Sequence, residues 1–127
     1  MLQTALVFLG GGVGAASRHS VNVAAARLLG LGFPWGTLIV NIAGSFAMGL
    51  IAGWFAFKAG AGLSQHARLF LTTGVLGGFT TFSAFSLDAV LLWERNEVGL
   101  ALGYVAASLI LSILGLFAGL WLVRTFT

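Results

Sequence analysis

The sequence has no cysteine, a single proline and very little charge. Without cysteine, disulfides, thiolate catalysis and cysteine-based metal sites are excluded. His19 and His66 stand alone, and no His, Asp and Glu are spaced as metal ligands. Six Lys or Arg and three Asp or Glu make only 7% of the 127 residues, against about 25% in a soluble domain. Hydrophobic residues make 59% and the mean hydropathy is +1.05. So few charges cannot clothe a soluble fold, which excludes a soluble enzyme. The same apolar content excludes a disordered tail. The isoelectric point near 10.8 rests on a net charge of +3 scattered along the chain, so no basic patch awaits nucleic acid. What remains is an integral membrane protein, one domain over residues 1–127, with no catalytic role expected.

A hydrocarbon core about 30 Å thick needs roughly 20 apolar residues in a helix. Uncharged runs predict four spans, at residues 4–26, 35–57, 67–93 and 99–123. The first is interrupted by Arg18, and the second follows Pro34, which suits a first helical turn. The linkers Leu28–Phe33, Lys58–His66 and Glu94–Val98 are short, so successive spans are antiparallel neighbours. The runs are continuous rather than alternating, which argues against a β-barrel. No basic segment precedes the first run, so it is not expected to be a cleaved signal, and no lipidation motif is evident. With the N-terminus in the cytoplasm, Lys58, Arg68 and Arg124 lie inside and Arg27 and Arg95 outside. Such a weak bias leaves a single orientation and insertion both ways equally open.

Nineteen glycines include the pairs Gly10–Gly14, Gly49–Gly53 and Gly115–Gly119, spaced for close helix approach. Close packing within one chain accounts for most of them. Four helices hardly enclose an aqueous path alone, so a transport function calls for a homo-oligomer, with a two-fold dimer the default. Thr37, Asn41 and Ser45 fall on one face of the second span, and Tyr104, Ser108 and Ser112 repeat the pattern in the fourth. Single hydroxyls usually bond between helices or back to their own backbone. Two aligned rows of neutral donors also suit an anion that accepts hydrogen bonds strongly.

The third span carries Gly77-Gly78-Phe79-Thr80-Thr81-Phe82-Ser83-Ala84-Phe85, a poor helix interior. Either the glycines make a close helix contact, or the helix breaks and frees carbonyls able to hold a cation such as Na⁺. Phe82 and Phe85 share a face, as core, as lipid contacts, or as electropositive ring edges for an anion. Arg18 either snorkels to the interface or draws anions into a vestibule. Asp88, the lone acid within a span, suits pairing or capping. Trp35, Trp54, Trp93 and Trp121 fall near span ends as an interfacial belt.

Together these features resemble the Fluc (CrcB) family of fluoride ion channels along the whole chain. Three segments carry the likeness: Gly10-Gly11-Gly12-Val13-Gly14-Ala15-Ala16-Ser17-Arg18, Gly36-Thr37-Leu38-Ile39-Val40-Asn41-Ile42-Ala43-Gly44-Ser45, and Gly77 through Ser86. The resemblance implies an all-α, dual-topology antiparallel homodimer of four-span subunits, with two fluoride pores and a structural Na⁺ on the two-fold axis. Backbone carbonyls of Gly77 and Thr80 from both subunits would hold the Na⁺. Asn41, Phe82, Phe85, Thr37, Tyr104, Ser108 and Ser112 would line the fluoride pathway, and Arg18 the vestibule. His19, directly after Arg18, stands where an aromatic is the more expected residue. The resemblance also implies the plasma (inner) membrane of a prokaryote and passive fluoride export that protects the cytoplasm.

Fluoride is small and tightly hydrated, so a pore must replace its water with several individually weak sites. Chloride, a larger and weaker acceptor, gains less from the same donors. The rival reading is a small proton-coupled drug exporter with four spans and dual topology. That chemistry needs a buried carboxylate, absent from the first span, and Asp88 is poorly placed for it. A second rival is an assembly protein whose polar residues only join helices.

Overall fold

Apolar chain in hydrocarbon has to satisfy its backbone polar groups internally, and the helix does so within one segment. In the computed structural model, which describes residues 1–57 and 63–126, every regular element is a helix. These are α1 (Leu2–Leu29), α2 (Trp35–Phe57), α3 (Leu63–Arg68), a π-helical stretch (Leu69–Leu76), α4 (Gly77–Phe79), α5 (Phe82–Glu94) and α6 (Val98–Thr125). Lys58 and most of its linker lie outside the described residues.

Three stretches among the described residues are long and apolar enough to cross a membrane: Trp35–Ala56, Gln65–Glu94 and Val98–Thr125. The run at 4–26 folds within the 28-residue α1, but does not join these three on length and composition. Ser17-Arg18-His19-Ser20 and Asn22 dilute its apolar content.

Helix ends follow local chemistry. Gly30 ends α1 at φ 84°, where a side chain would be strained, and its N–H bonds the Ala26 carbonyl. Pro34 falls just before α2, and its carbonyl accepts the Leu38 amide at 3.2 Å. Asn96 turns the chain between α5 and α6 at φ 63°, a left-handed conformation that asparagine tolerates. Arg95 donates to the Gly32 carbonyl and to Glu97 Oε2, each at 3.2 Å, and so joins the α1–α2 and α5–α6 connections at one end.

Two seams organise the bundle. α1 lies along the π-helical stretch and α4, backbone against backbone. A Cβ on Gly10 would sit 2.9 Å from the Gly74 Cα, and one on Gly78 would sit 3.0 Å from the Gly11 Cα. α2 and α6 form the other seam, where a Cβ on Gly49 would lie 3.1 Å from the Gly119 Cα. The predicted small-residue pairs therefore do pack within one chain. A small core of Leu38, Phe85, Leu92, Ala101 and Tyr104 joins α2, α5 and α6. The four tryptophans are exposed, as are many large apolar side chains that would face lipid.

Candidate ion pathway

Between Phe79 and Phe82 the backbone leaves the helix. Thr80 (φ −83°, ψ 159°) and Thr81 (φ −153°, ψ 125°) are extended, and α5 begins at Phe82 with Thr81 as its cap. The Thr81 hydroxyl accepts the Ala84 amide at 3.1 Å. Asn41, from α2, holds the same threonine from both sides. Its Oδ1 accepts the Thr81 amide at 2.8 Å, and its Nδ2 donates to the Thr81 carbonyl at 3.0 Å. Asn41 thus stands in for missing helical backbone.

These bonds change the accounting for two carbonyls. In a continuous helix Gly77 would receive the Thr81 amide and Thr80 the Ala84 amide. Both donors are diverted, to Asn41 and to the Thr81 hydroxyl. The Gly77 and Thr80 carbonyl oxygens are thereby released from the helical ladder. The Gly78 carbonyl takes a different substitute, Arg18 Nε at 3.2 Å across 60 residues. Arg18 is thus engaged with the interrupted helix and is part-buried.

A cavity of about 290 Å³ opens beside Thr80 and Thr81, between α2, α5 and α6. Asn41 and Ser45 line it from α2, Phe82 and Phe85 from α5, and Ser108 and Ser112 from α6. Six sequence-chosen residues thus meet around one space. Ser108 Oγ is buried and has no hydrogen-bond partner among the described residues. Phe85 is 7% exposed and Phe82 74%, with ring centres 5.6 Å apart. One ring is held in the core while the other stands free at the cavity's side.

Thr37 and Tyr104 lie beyond this cavity. The Tyr104 ring is fully buried, 5.2 Å from Phe85 and edge-on to Phe33 at 5.4 Å. Its hydroxyl donates to Asp88 Oδ2 at 3.3 Å, and the buried Thr37 side chain lies near the same phenol. Thr37 and Asp88 line a second cavity of about 430 Å³ near the linkers, with Asn22 and Arg95. The Tyr104 and Phe85 rings stand between the two spaces.

Two residues are absent from the sequence-based set. Met48 lines the first cavity, one helical step beyond Ser45, and extending the row Asn41, Ser45 would have reached it. Thr81 caps α5 and receives Asn41. A threonine directly before an apolar helical run is the signal that marks such a cap. Among the described residues no three His, Cys, Asp or Glu side chains converge to hold a metal.

The family model for the CrcB-like protein, Camphor Resistance (CrcB), matches residues 5–120. A Rhodopseudomonas palustris (strain BisB5) protein named "Fluoride-specific ion channel FluC" is 62% identical, covering 96% of this chain and 97% of its own. "Fluoride-specific ion channel FluC 2" of Nitrobacter hamburgensis is 58% identical over 96% of this chain and 97% of its own. A "Fluoride-specific ion channel FluC" of Hyphomonas neptunium is 58% identical over 94% of this chain and 93% of its own.

Proposed function

The chain belongs to the CrcB-like family, and on that premise we infer that it forms a fluoride-specific ion channel, through which fluoride leaves the cytoplasm passively down its electrochemical gradient. The observation that carries this reading is the buried Ser108 hydroxyl, without a partner among the described residues, on a cavity shared with Asn41, Ser112 and two phenylalanines. Leaving a buried hydroxyl unpaired costs about 1–3 kcal/mol. An anion arriving in the cavity recovers that cost by accepting the bond.

Fluoride sheds water only where donors replace it, and a fixed positive charge in the same place would trap it. The cavity offers neutral donors: hydroxyls of Ser45, Ser108 and Ser112, and the second N–H of Asn41. The phenylalanine ring edges add weak positive potential without a formal charge. Tyr104 differs in role. Its one proton goes to Asp88, so it shapes the wall and offers fluoride its ring rather than its O–H. That bond also weighs against a proton-coupled exporter, which needs an available carboxylate.

The finer architecture belongs to the same proposal. α1 is the fourth span, its 28 residues reaching about 42 Å at 1.5 Å per residue. The functional unit is an antiparallel homodimer in a prokaryotic plasma membrane. Its support is the near balance of span-end charges and the three-quarters exposure of Phe82 on a chemically specialised cavity. The Gly77 and Thr80 carbonyls, released from the ladder, fit a hard cation such as Na⁺, doubled by two-fold symmetry. When bound, the ion would supply positive charge that ties carbonyl oxygens of the two interrupted helices together.

Purified protein in liposomes tests the function. We expect fluoride release without a pH gradient while chloride stays inside. Folded protein that releases no fluoride would end the channel reading, and release that requires proton counterflow would favour a coupled transporter.

A further inference from the structure

Three cavities share α2 as a wall. Thr37 faces the one near the linkers, Asn41, Gly44, Ser45 and Met48 face the polar one, and Met48, Ala52 and Phe55 face a third of about 380 Å³. From Thr37 to Phe55 the helix rises about 27 Å at 1.5 Å per residue, nearly the thickness of a hydrocarbon core. The third cavity's opposite wall is Arg68 at the end of α3, with Thr72 and Thr73 of the π-helical stretch. Arg68 is exposed, and its guanidinium has no hydrogen-bond or ion-pair partner among the described residues. The Thr72 hydroxyl donates to the Arg68 carbonyl at 2.6 Å and so fixes the arginine's backbone at the rim. Met48 lines both the third cavity and the polar one.

We propose that the Arg68–Thr72–Thr73 cavity is an anion-collecting mouth of the pathway at the C-terminal end of α2, and that Met48 is the side chain an ion passes between this mouth and the polar cavity. The proposal rests on the chain conducting fluoride. Of the two arginines beside the interrupted helix, Arg18 spends its Nε on the Gly78 carbonyl, whereas Arg68 lines the third cavity with no side-chain partner among the described residues. A guanidinium in a wide, watery mouth raises the local anion concentration without immobilising the ion. Met48 has three rotatable bonds and no branch, so it can yield to a passing ion without backbone movement.

The test uses proteoliposomes of phosphatidylcholine and a fluoride electrode, with ionic strength set by potassium glutamate. Wild-type protein is measured first: if it passes no fluoride, the channel reading itself has failed. Given wild-type flux, Arg68→Gln should slow efflux about threefold at roughly 10 mM ionic strength and match wild type near 1 M, where the screening length falls from about 30 Å to 3 Å. Arg68→Lys should keep the wild-type salt response. Met48→Ile, stiff at its branched Cβ, should slow efflux equally at both salts, whereas Met48→Leu should not. Wild-type rates in Arg68→Gln, or a deficit equal at both salts, overturn the proposal. A deficit that arises only when phosphatidylglycerol is added to the vesicles marks a lipid-headgroup site and overturns it as well.

Discussion

The two seams of this bundle use glycine in different ways. Along α1, the π-helical stretch and α4, glycine sets the approach: Gly10, Gly14, Gly74 and Gly78 bring backbones together and leave no room for a Cβ at those positions. Along α2 and α6, glycine closes only the C-terminal half of α2, at Gly49 and Gly53 against Gly119 and its neighbours. Toward the N-terminal half the same two helices carry Asn41 and Ser45 against Ser108 and Ser112, and a cavity opens. The first seam is a support that holds the interrupted helix in place. The second is a hinge-like wedge, tight at one end and chemically active at the other. Sequence change should therefore act on folding at the first seam and on ion passage at the second.

The largest effect should come from Gly14→Leu. A Cβ there already meets the Phe79 amide nitrogen at 2.7 Å, and the three atoms nearest it are all backbone, which cannot swing aside. We expect a loss of about 3 kcal/mol or more, read as loss of monodisperse protein in detergent. Retention of a stable, conducting channel would erase the distinction between the seams. Asn41→Asp should come next. It removes the donor to the Thr81 carbonyl and adds a charge beside the pathway, so fluoride efflux should fall about tenfold or more while the assembly persists on size-exclusion chromatography.

Phe82→Ile separates stability from passage more sharply. Phe82 is 74% exposed in one chain, so the chain's own stability should move by no more than about 0.5 kcal/mol. Loss of the ring edge should still slow efflux about tenfold. The smallest and most diagnostic change is Ser108→Ala. Deleting a buried hydroxyl that has no partner among the described residues should leave thermal stability unchanged or slightly raised, yet slow fluoride about fivefold. A fall in stability with unaltered flux would make Ser108 a helix joint rather than a pathway residue.

Much of the polar cavity's lining could be read from spacing alone. Asn41 and Ser45, or Ser108 and Ser112, are four apart, and a helix places such pairs on one face whatever surrounds them. The same spacing also includes Thr37 and Tyr104, but the Phe33, Phe85 and Tyr104 rings pack together, which makes Tyr104 part of a wall and leaves Thr37 on its far side. Phe82 and Phe85 share a helix face by spacing, whereas their unequal burial depends on what packs against α5. Arg18 reaching Gly78 is a contact across 60 residues that no local pattern carries. The π-helical stretch Leu69–Leu76 gives no period of its own, since its leucines, threonines and glycine suit an α-helix in hydrocarbon equally well. The released carbonyls depended on knowing where the Thr81 and Ala84 amides go, which is tertiary information for the first and a cap for the second.

The central claim, that fluoride passes through the space between α2, α5 and α6, has a direct test because the chain contains no cysteine. Ser112→Cys creates a single thiol on the cavity wall. Fluoride efflux from liposomes should stop when silver ion is added to this variant, and should be unaffected in the cysteine-free wild type. Undiminished efflux from Ser112→Cys after complete reaction of its thiol would contradict the assignment of the pathway.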